Sequence, residues 1–384
     1  MRNRKHLLSD QKVYAILLFF LLILQFYSIF NISNSNVDEK VIFITSIAAI
    51  VMFLKNFRVI GSLWNLILIM ITILSLIITV IMHTGTGSAL LTFNLILFIL
   101  IFNNIQVSTF FYKAMHLFCA IGLTYYLLQI NMNTSYTTIV QDKFGNLLNT
   151  NVVALWTLAS FLHWVCYLDT VKLNKYIKII LYILISFLSG YYIFMCNSRT
   201  AILSIVAFWI LSFLLKKSIK RTTFRIVTMV ILAISVILPI IYLILFKYLS
   251  NFMLFGKNFF SGRQLVWQSV IDLIKEYPVF GSGNDFLLTN VDRSYTASAH
   301  NMLLGLIKMF GFLPAFSIFI YFVNNNANKS LGERNRISQI AFLSSLICCF
   351  FESFYTYSHL YLFFLLFLIS FIKSDSESAI DTVS

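Results

Sequence analysis

Apolar runs follow one another through this chain with only short polar breaks, and that pattern constrains the fold more than any other feature. A helix that crosses a bilayer needs about 20 apolar residues, because the hydrocarbon core offers its backbone no water to bond. Such runs lie near 13–30, 41–54, 63–82, 88–102, 110–130, 150–168, 176–196, 200–215, 226–248, 300–323, 338–354 and 357–372. Only 11% of the 384 residues are charged, against roughly 25% in a soluble domain, so a water-soluble fold has nowhere to place this much apolar surface. The expectation is an all-α integral membrane protein, a single polytopic domain over 1–384 with about 12 transmembrane helices.

Charge sets the orientation. The net charge of +14 is spread in short clusters between the apolar runs, which argues against nucleic acid as a partner. Lys55 and Arg58, then Lys172, Lys175 and Lys178, then Lys216, Lys217, Lys220, Arg221 and Arg225, then Lys329, Arg334 and Arg336, with Lys373 at the tail, all fall in alternate breaks. Basic residues mark the cytoplasmic side, so both ends are expected inside. The first run follows Arg2, Arg4, Lys5 and Lys12, lacks a small-residue cleavage site and reads as an uncleaved signal anchor. The long polar interruption at 250–299 then faces outward.

That large extracytoplasmic loop has internal pattern. Val266, Trp267, Val270, Ile271 and Ile274 repeat at helical spacing, with Gln264, Gln268, Asp272, Lys275 and Glu276 on the other faces. The spacing predicts an amphipathic helix over 263–277 on the membrane surface. Pro278 stops it and Gly281-Ser282-Gly283 turns the chain. Arg199, Lys247, Lys257, Arg263, Lys275 and Arg293 lie on the outer side against the insertion bias, where a charge has either a task or a lipid headgroup.

His300 and Asn301 are expected to open the tenth spanning helix at the outer face. The first turn of a helix has unpaired N–H groups and the positive end of the macrodipole, which suits an anion beside a proton-accepting imidazole. A lone histidine at a helix end is otherwise a capping or interface residue. His116 and His163 lie inside apolar runs, where packing is the plainer role. The five cysteines sit in or beside apolar runs without metal-type spacing, and Asp38 and Glu39 read as solvated, so no metal site is expected.

His300-Asn301 followed by Gly311-Phe312-Leu313-Pro314 resembles the His-Asn…Gly-x-x-Gly signature of the bacterial O-antigen ligase and polymerase superfamily. Gly262-Arg263-Gln264-Leu265-Val266-Trp267 and Tyr277-Pro278-Val279-Phe280-Gly281-Ser282-Gly283 resemble its Arg…Trp and Pro-x-x-Gly-x-Gly segments. Asn197-Ser198-Arg199-Thr200 resembles its Ser-Arg motif, while Pro314 departs from the small residue often found there.

The resemblance covers about 190 to 320. It implies a metal-independent, inverting glycosyltransferase of GT-C type in the bacterial cell membrane, with no cofactor. Donor and acceptor would be undecaprenyl-diphosphate-linked glycans, joined outside the membrane, with a chain-length regulator and a flippase as possible partners. Arg199 and Arg263 would hold the donor pyrophosphate in bidentate fashion. His300 would activate the acceptor hydroxyl. Arg293 joins them as a nearby outer cation with no motif behind it. Asn301 and Glu352 are secondary candidates; Glu352 either orients the base, binds a sugar or anchors the interface.

Three functions stay open: a polymerase of repeat units for O-antigen or capsule, a ligase to a terminal acceptor, and a precursor flippase. The Ile, Phe, Asn and Lys bias, that of an AT-rich gene, places polymerase before ligase. Spanning runs nearly free of charge speak against a transporter cavity.

Overall fold

The computed structural model describes residues 2–60, 63–82, 86–132, 139–215, 221–245, 248, 253–254, 257–258, 263–283, 286–290, 293–297, 299–324, 336–352 and 357–372. The helices are α1 (Arg2–Phe30), α2 (Ser35–Ile60), α3 (Leu63–Met82), α4 (Thr86–Phe102), α5 (Thr109–Leu127), α6 (Thr150–Thr170), α7 (Lys175–Met195), α8 (Arg199–Leu214), α9 (Arg221–Ile244), α10 (Arg263–Glu276), α11 (Met302–Phe310), α12 (Phe312–Asn324), α13 (Arg336–Cys348) and α14 (Tyr361–Leu365). Among the described residues four stretches, Val13–Phe30, Thr150–Thr170, Lys175–Met195 and Thr222–Ile244, are long and apolar enough to cross a membrane, and shorter apolar helices accompany them.

Burial separates two kinds of apolar helix. Along α6 the side chains of Val153, Ala154, Trp156, Leu158, Phe161 and Cys166 are fully buried, whereas α7 exposes Ile180, Ile183 and Phe187. A helix apolar on every side is stable inside protein or against lipid, and here α6 takes the first place and α7 the second.

The expected helix pattern departs from the structure in two places. The tenth run is two helices, α11 and α12, broken at Gly311, whose φ of 78° and ψ of −174° belong to a region that only glycine enters freely. The twelfth run is no continuous helix either. Tyr361–Leu365 gives way to a 3-10 turn at Leu366–Leu368 and then to β9 (Ser370–Ile372), which pairs in parallel with β1 (Gln106–Ser108). This segment is apolar because it is buried, with Leu360 to Ile369 at most 2% exposed. Apolar length alone does not separate a buried irregular segment from a lipid-facing helix.

Segments that the charge pattern assigns to the same side meet one another. At one end, Arg336 donates through its guanidinium to the carbonyls of Ser212 and Leu215, closing the last turn of α8. At the other, β2 (Ile130–Asn131), β3 (Ile139–Asp142) and β4 (Leu147–Asn149) form an antiparallel sheet. Its turn docks on the α1–α2 connection through Ser33 Oγ donating to Asn146 Oδ1 at 2.6 Å. Asp38 belongs to the first turn of α2 and is not simply solvated. Its Oδ1 accepts from Ser28 and Ser358, each at 2.6 Å, because three distant segments close here around one carboxylate.

Candidate active site

The turn from α7 to α8 explains the first motif. Cys196 ends α7 and Asn197 takes a left-handed φ of 57°. The N–H of Asn197 then donates to Phe194 O at 2.9 Å and that of Ser198 to Ile193 O at 3.4 Å. This is the double bond that closes a helix through a left-handed residue, a role asparagine tolerates. Ser198 is at once the end of that closure and the N-cap of α8, so Arg199 becomes the first residue of α8.

The Arg…Trp segment is α10. Arg263 and Trp267 lie four residues apart and therefore on one face. Trp267 is fully buried, packs edge-on against Tyr242 with ring centroids 5.5 Å apart, and donates from Nε1 to Ala299 O at 3.0 Å. It pins the backbone one residue before His300. One turn away, Arg263 donates through a terminal guanidinium nitrogen to Phe351 O at 3.1 Å and lies 3.4 Å from Glu352 Oε1. Burial lowers the pKa of Arg263 from its usual value, and the Glu352 carboxylate opposes that shift. Burial lowers the pKa of Arg199, and the nearby Arg263 charge lowers it further.

The two glycine motifs interlock. The N–H groups of Ser282 and Gly283 donate to Lys308 O at 2.7 Å and Met309 O at 3.2 Å, and that of Phe312 donates to Pro278 O at 3.1 Å. A Cβ on Gly281 would lie 2.5 Å from the Met309 carbonyl, and one on Gly311 only 1.8 Å from Val279 O. Glycine is required because backbone meets backbone. From the other side α3 presents Ser75, which donates to Phe310 O at 3.2 Å, and Thr79, which donates to Phe280 O at 2.9 Å. The motifs thus fix the end of α10 against the break between α11 and α12. Gly262 lies outside the described residues.

His300 does not open α11. The helix begins at Met302 with Asn301 as its N-cap. Asn301 is fully buried, accepts from Leu304 N at 3.0 Å, and donates from Nδ2 to Ser235 O at 2.6 Å and Phe350 O at 3.2 Å. Met302 N donates to Cys349 O at 3.0 Å. Two of the first-turn N–H groups are therefore already used, and the expected anion site on this helix start is replaced by capping. His300, just before the cap, takes a positive φ of 44°, a conformation a bulky residue holds only when its neighbours impose it. Its charged neighbour is Glu352, whose Oε2 lies 3.8 Å from His300 Nδ1, with the carboxylate 3% and the imidazole 38% exposed.

The structure thus gathers Arg199, Arg263, His300 and Glu352, from four separate segments, at one end of the bundle. Arg293 opens β8 (Arg293–Ala297) and pairs with Asn290 of β7 (Phe286–Asn290) at the closed end of a hairpin, the end away from His300; its side chain lies outside the described residues. Asn301 positions the backbone and has no free group to offer. Among the described residues no three acidic, histidine or cysteine side chains converge as metal ligands.

Residues 184–320 match the family model described as O-antigen ligase. The chain carries a domain of the O-antigen ligase and polymerase superfamily. No curated protein and no solved structure matches the chain. The superfamily segment contains Arg199, Arg263, His300 and both glycine motifs, whereas Glu352 lies beyond it.

Two features went unread in the sequence. Lys308 is a fully buried lysine inside α11, a charge within an apolar run to which the sequence alone gives no role. The Thr72, Ser75 and Thr79 stripe of α3 carried a helical spacing that could have marked it as a docking face. His116 and His163 form a buried pair, Nδ1 to Nδ1 at 2.8 Å, between α5 and α6, in keeping with packing.

Proposed function

We propose that the protein is a membrane glycosyltransferase that polymerises polyprenyl-diphosphate-linked oligosaccharide repeat units into a surface polysaccharide. The observation that carries this reading is the convergence of two arginines and a histidine within the superfamily segment. A guanidinium pair that repels itself when empty is relieved by a pyrophosphate, and each fork can bind phosphate oxygens bidentately. Beside it, His300 takes the proton of the acceptor hydroxyl as the oxygen attacks the anomeric carbon. The bond to pyrophosphate breaks and the lipid diphosphate leaves on the opposite face, so the anomeric configuration inverts. No metal is needed where two arginines neutralise the leaving group. The site belongs on the outer side of a bacterial cell membrane, in a GT-C-like bundle whose count of spans is about twelve, with the chain ends in the cytoplasm.

Ligation of a finished glycan to a terminal acceptor is the second reading, favoured by the description of the matching family. The donor side is common to both, and only the acceptor differs. A flippase is disfavoured because Arg199, Arg263, His300 and Glu352 gather at one end of the bundle, not along a central cavity. In cells that depend on this protein, His300→Ala should leave it inserted while long chains vanish and single repeat units accumulate. Normal chain lengths would remove His300 from the mechanism. Arg199→Lys and Arg263→Lys should restore only part of the loss seen with alanine, since a point charge does not reproduce the fork.

A further inference from the structure

Glu352 has no place in the superfamily segment, yet its carboxylate lies between the two groups that the proposed reaction needs. Oε1 is 3.4 Å from Arg263 and Oε2 is 3.8 Å from His300 Nδ1. The carboxylate is 3% exposed, and a buried charge persists only with partners. Its backbone is fixed, with Glu352 N donating to Cys348 O at 2.8 Å. The same turn holds the histidine segment twice over. Cys349 O accepts from Met302 N at 3.0 Å, and Phe350 O accepts from Asn301 Nδ2 at 3.2 Å. The turn that carries Glu352 therefore also sets where His300 stands. The histidine's Nδ1 is buried and has no hydrogen-bond partner among the described residues. A buried ring nitrogen facing a buried carboxylate is incompletely satisfied at 3.8 Å, and catalytic hydrogen bonds are often long in empty sites and tighten on substrate binding.

We infer that Glu352 is the positioning residue of the base: it accepts the Nδ1–H of His300 and leaves Nε2 as the proton acceptor. This rests on the reading of His300 as base. The carboxylate fixes one tautomer and, after the acceptor proton moves to Nε2, stabilises the imidazolium while remaining ionised itself. The proton then leaves to water through the exposed edge of the ring. The second carboxylate oxygen makes the arrangement responsive to donor. With the site empty, Arg263 shares Glu352 with His300. A pyrophosphate that engages Arg263 competes for the guanidinium and releases the carboxylate to close on Nδ1, so the base is completed when the donor is in place.

Glu352→Gln is the decisive variant because it is nearly isosteric. Its amide oxygen still accepts from Arg263, but its NH2 faces Nδ1 and favours the opposite tautomer. The first readout needs no turnover. Carbethoxylation of His300 by diethylpyrocarbonate, followed by mass spectrometry at a pH where the rate has levelled off, reports the nucleophilicity of the ring. The rate at His300 should fall about tenfold in Glu352→Gln, the worth of one charge-assisted hydrogen bond. Glu352→Asp, which keeps the charge on a shorter arm, should fall between the two and serves if the first variant does not fold. Wild-type reactivity of His300 in either variant overturns the inference. The second readout is joining of lipid-linked glycans by purified protein, where Glu352→Gln should lower kcat about a hundredfold with little change in KM. A raised KM with unchanged His300 reactivity would instead make Glu352 a sugar-binding residue and sink its positioning role. Wild-type protein that joins no glycans would overturn the functional reading, and the carbethoxylation rates would then decide the Glu352–His300 pair by themselves.

Discussion

Replacing Gly311 by alanine tests whether the interlock between the two glycine motifs holds the site together. The glycine has φ 78° and ψ −174°, a region whose occupation costs other residues about 1–3 kcal/mol. An added Cβ would lie 1.8 Å from Val279 O and 2.3 Å from the Val279 carbonyl carbon. Backbone atoms cannot rotate away as a side chain would, so the 278–283 segment must separate from α12. The bond from Phe312 N to Pro278 O at 3.1 Å is lost with it, and an unmet buried group costs about 1–3 kcal/mol. Together the substitution should destabilise by about 3 kcal/mol or more, a fall of roughly 5 °C or more in Tm. Thermal denaturation of the detergent-solubilised protein measures it, with Gly190→Ala as the control. Gly190 lies in α7 and a Cβ there meets nothing within 4 Å, so alanine should be neutral or stabilise by about 0.5–1 kcal/mol. Because α10 carries Arg263, Gly311→Ala should also lower activity well below its melting range. Equal Tm values for the two alanine variants would refute the backbone argument.

Asn301→Ala removes an N-cap acceptor and both Nδ2 donations in a fully buried position; the cap is worth about 0.5–2 kcal/mol, and the orphaned carbonyls of Ser235 and Phe350 add to it. The expected loss is about 3 kcal/mol in total, read by thermal denaturation, and a change below about 1 kcal/mol would show that the cap is not what fixes the start of α11. Orientation has its own test. With single cysteines introduced at Asp285 and Ser218, a membrane-impermeant thiol reagent on intact cells should label the first and not the second; the five native cysteines are buried. The reverse pattern would put the proposed site in the cytoplasm.

Much of this was legible because membrane insertion writes itself into sequence as apolar length and basic breaks. The helix over 263–277 was read from its spacing and is α10, Arg263–Glu276. The break at Gly311 was harder, since a glycine inside an apolar run is compatible with a continuous helix, and only the approach of the 278–283 backbone forces the interruption. The 357–372 segment failed for the opposite reason: its uniform apolarity reflects burial on all sides and carries no period. At the candidate site, sequence named residues but not the contacts between them. Asn301 stood beside His300 as a possible functional group and proves to be a cap, while Glu352, 52 residues from His300, became a neighbour only through the fold. Contacts between distant segments leave no local pattern, which is also why Asp38 read as solvated although Ser358 holds it.

The proposed joining of lipid-linked glycans through Arg199, Arg263 and His300 has a direct test. Purified protein supplied with polyprenyl-diphosphate-linked repeat units, without nucleotide sugar and in the presence of a metal chelator, should produce a ladder of longer lipid-linked glycans that His300→Ala abolishes. Repeat units left unjoined by the wild-type protein, or a ladder undiminished by His300→Ala, would contradict it.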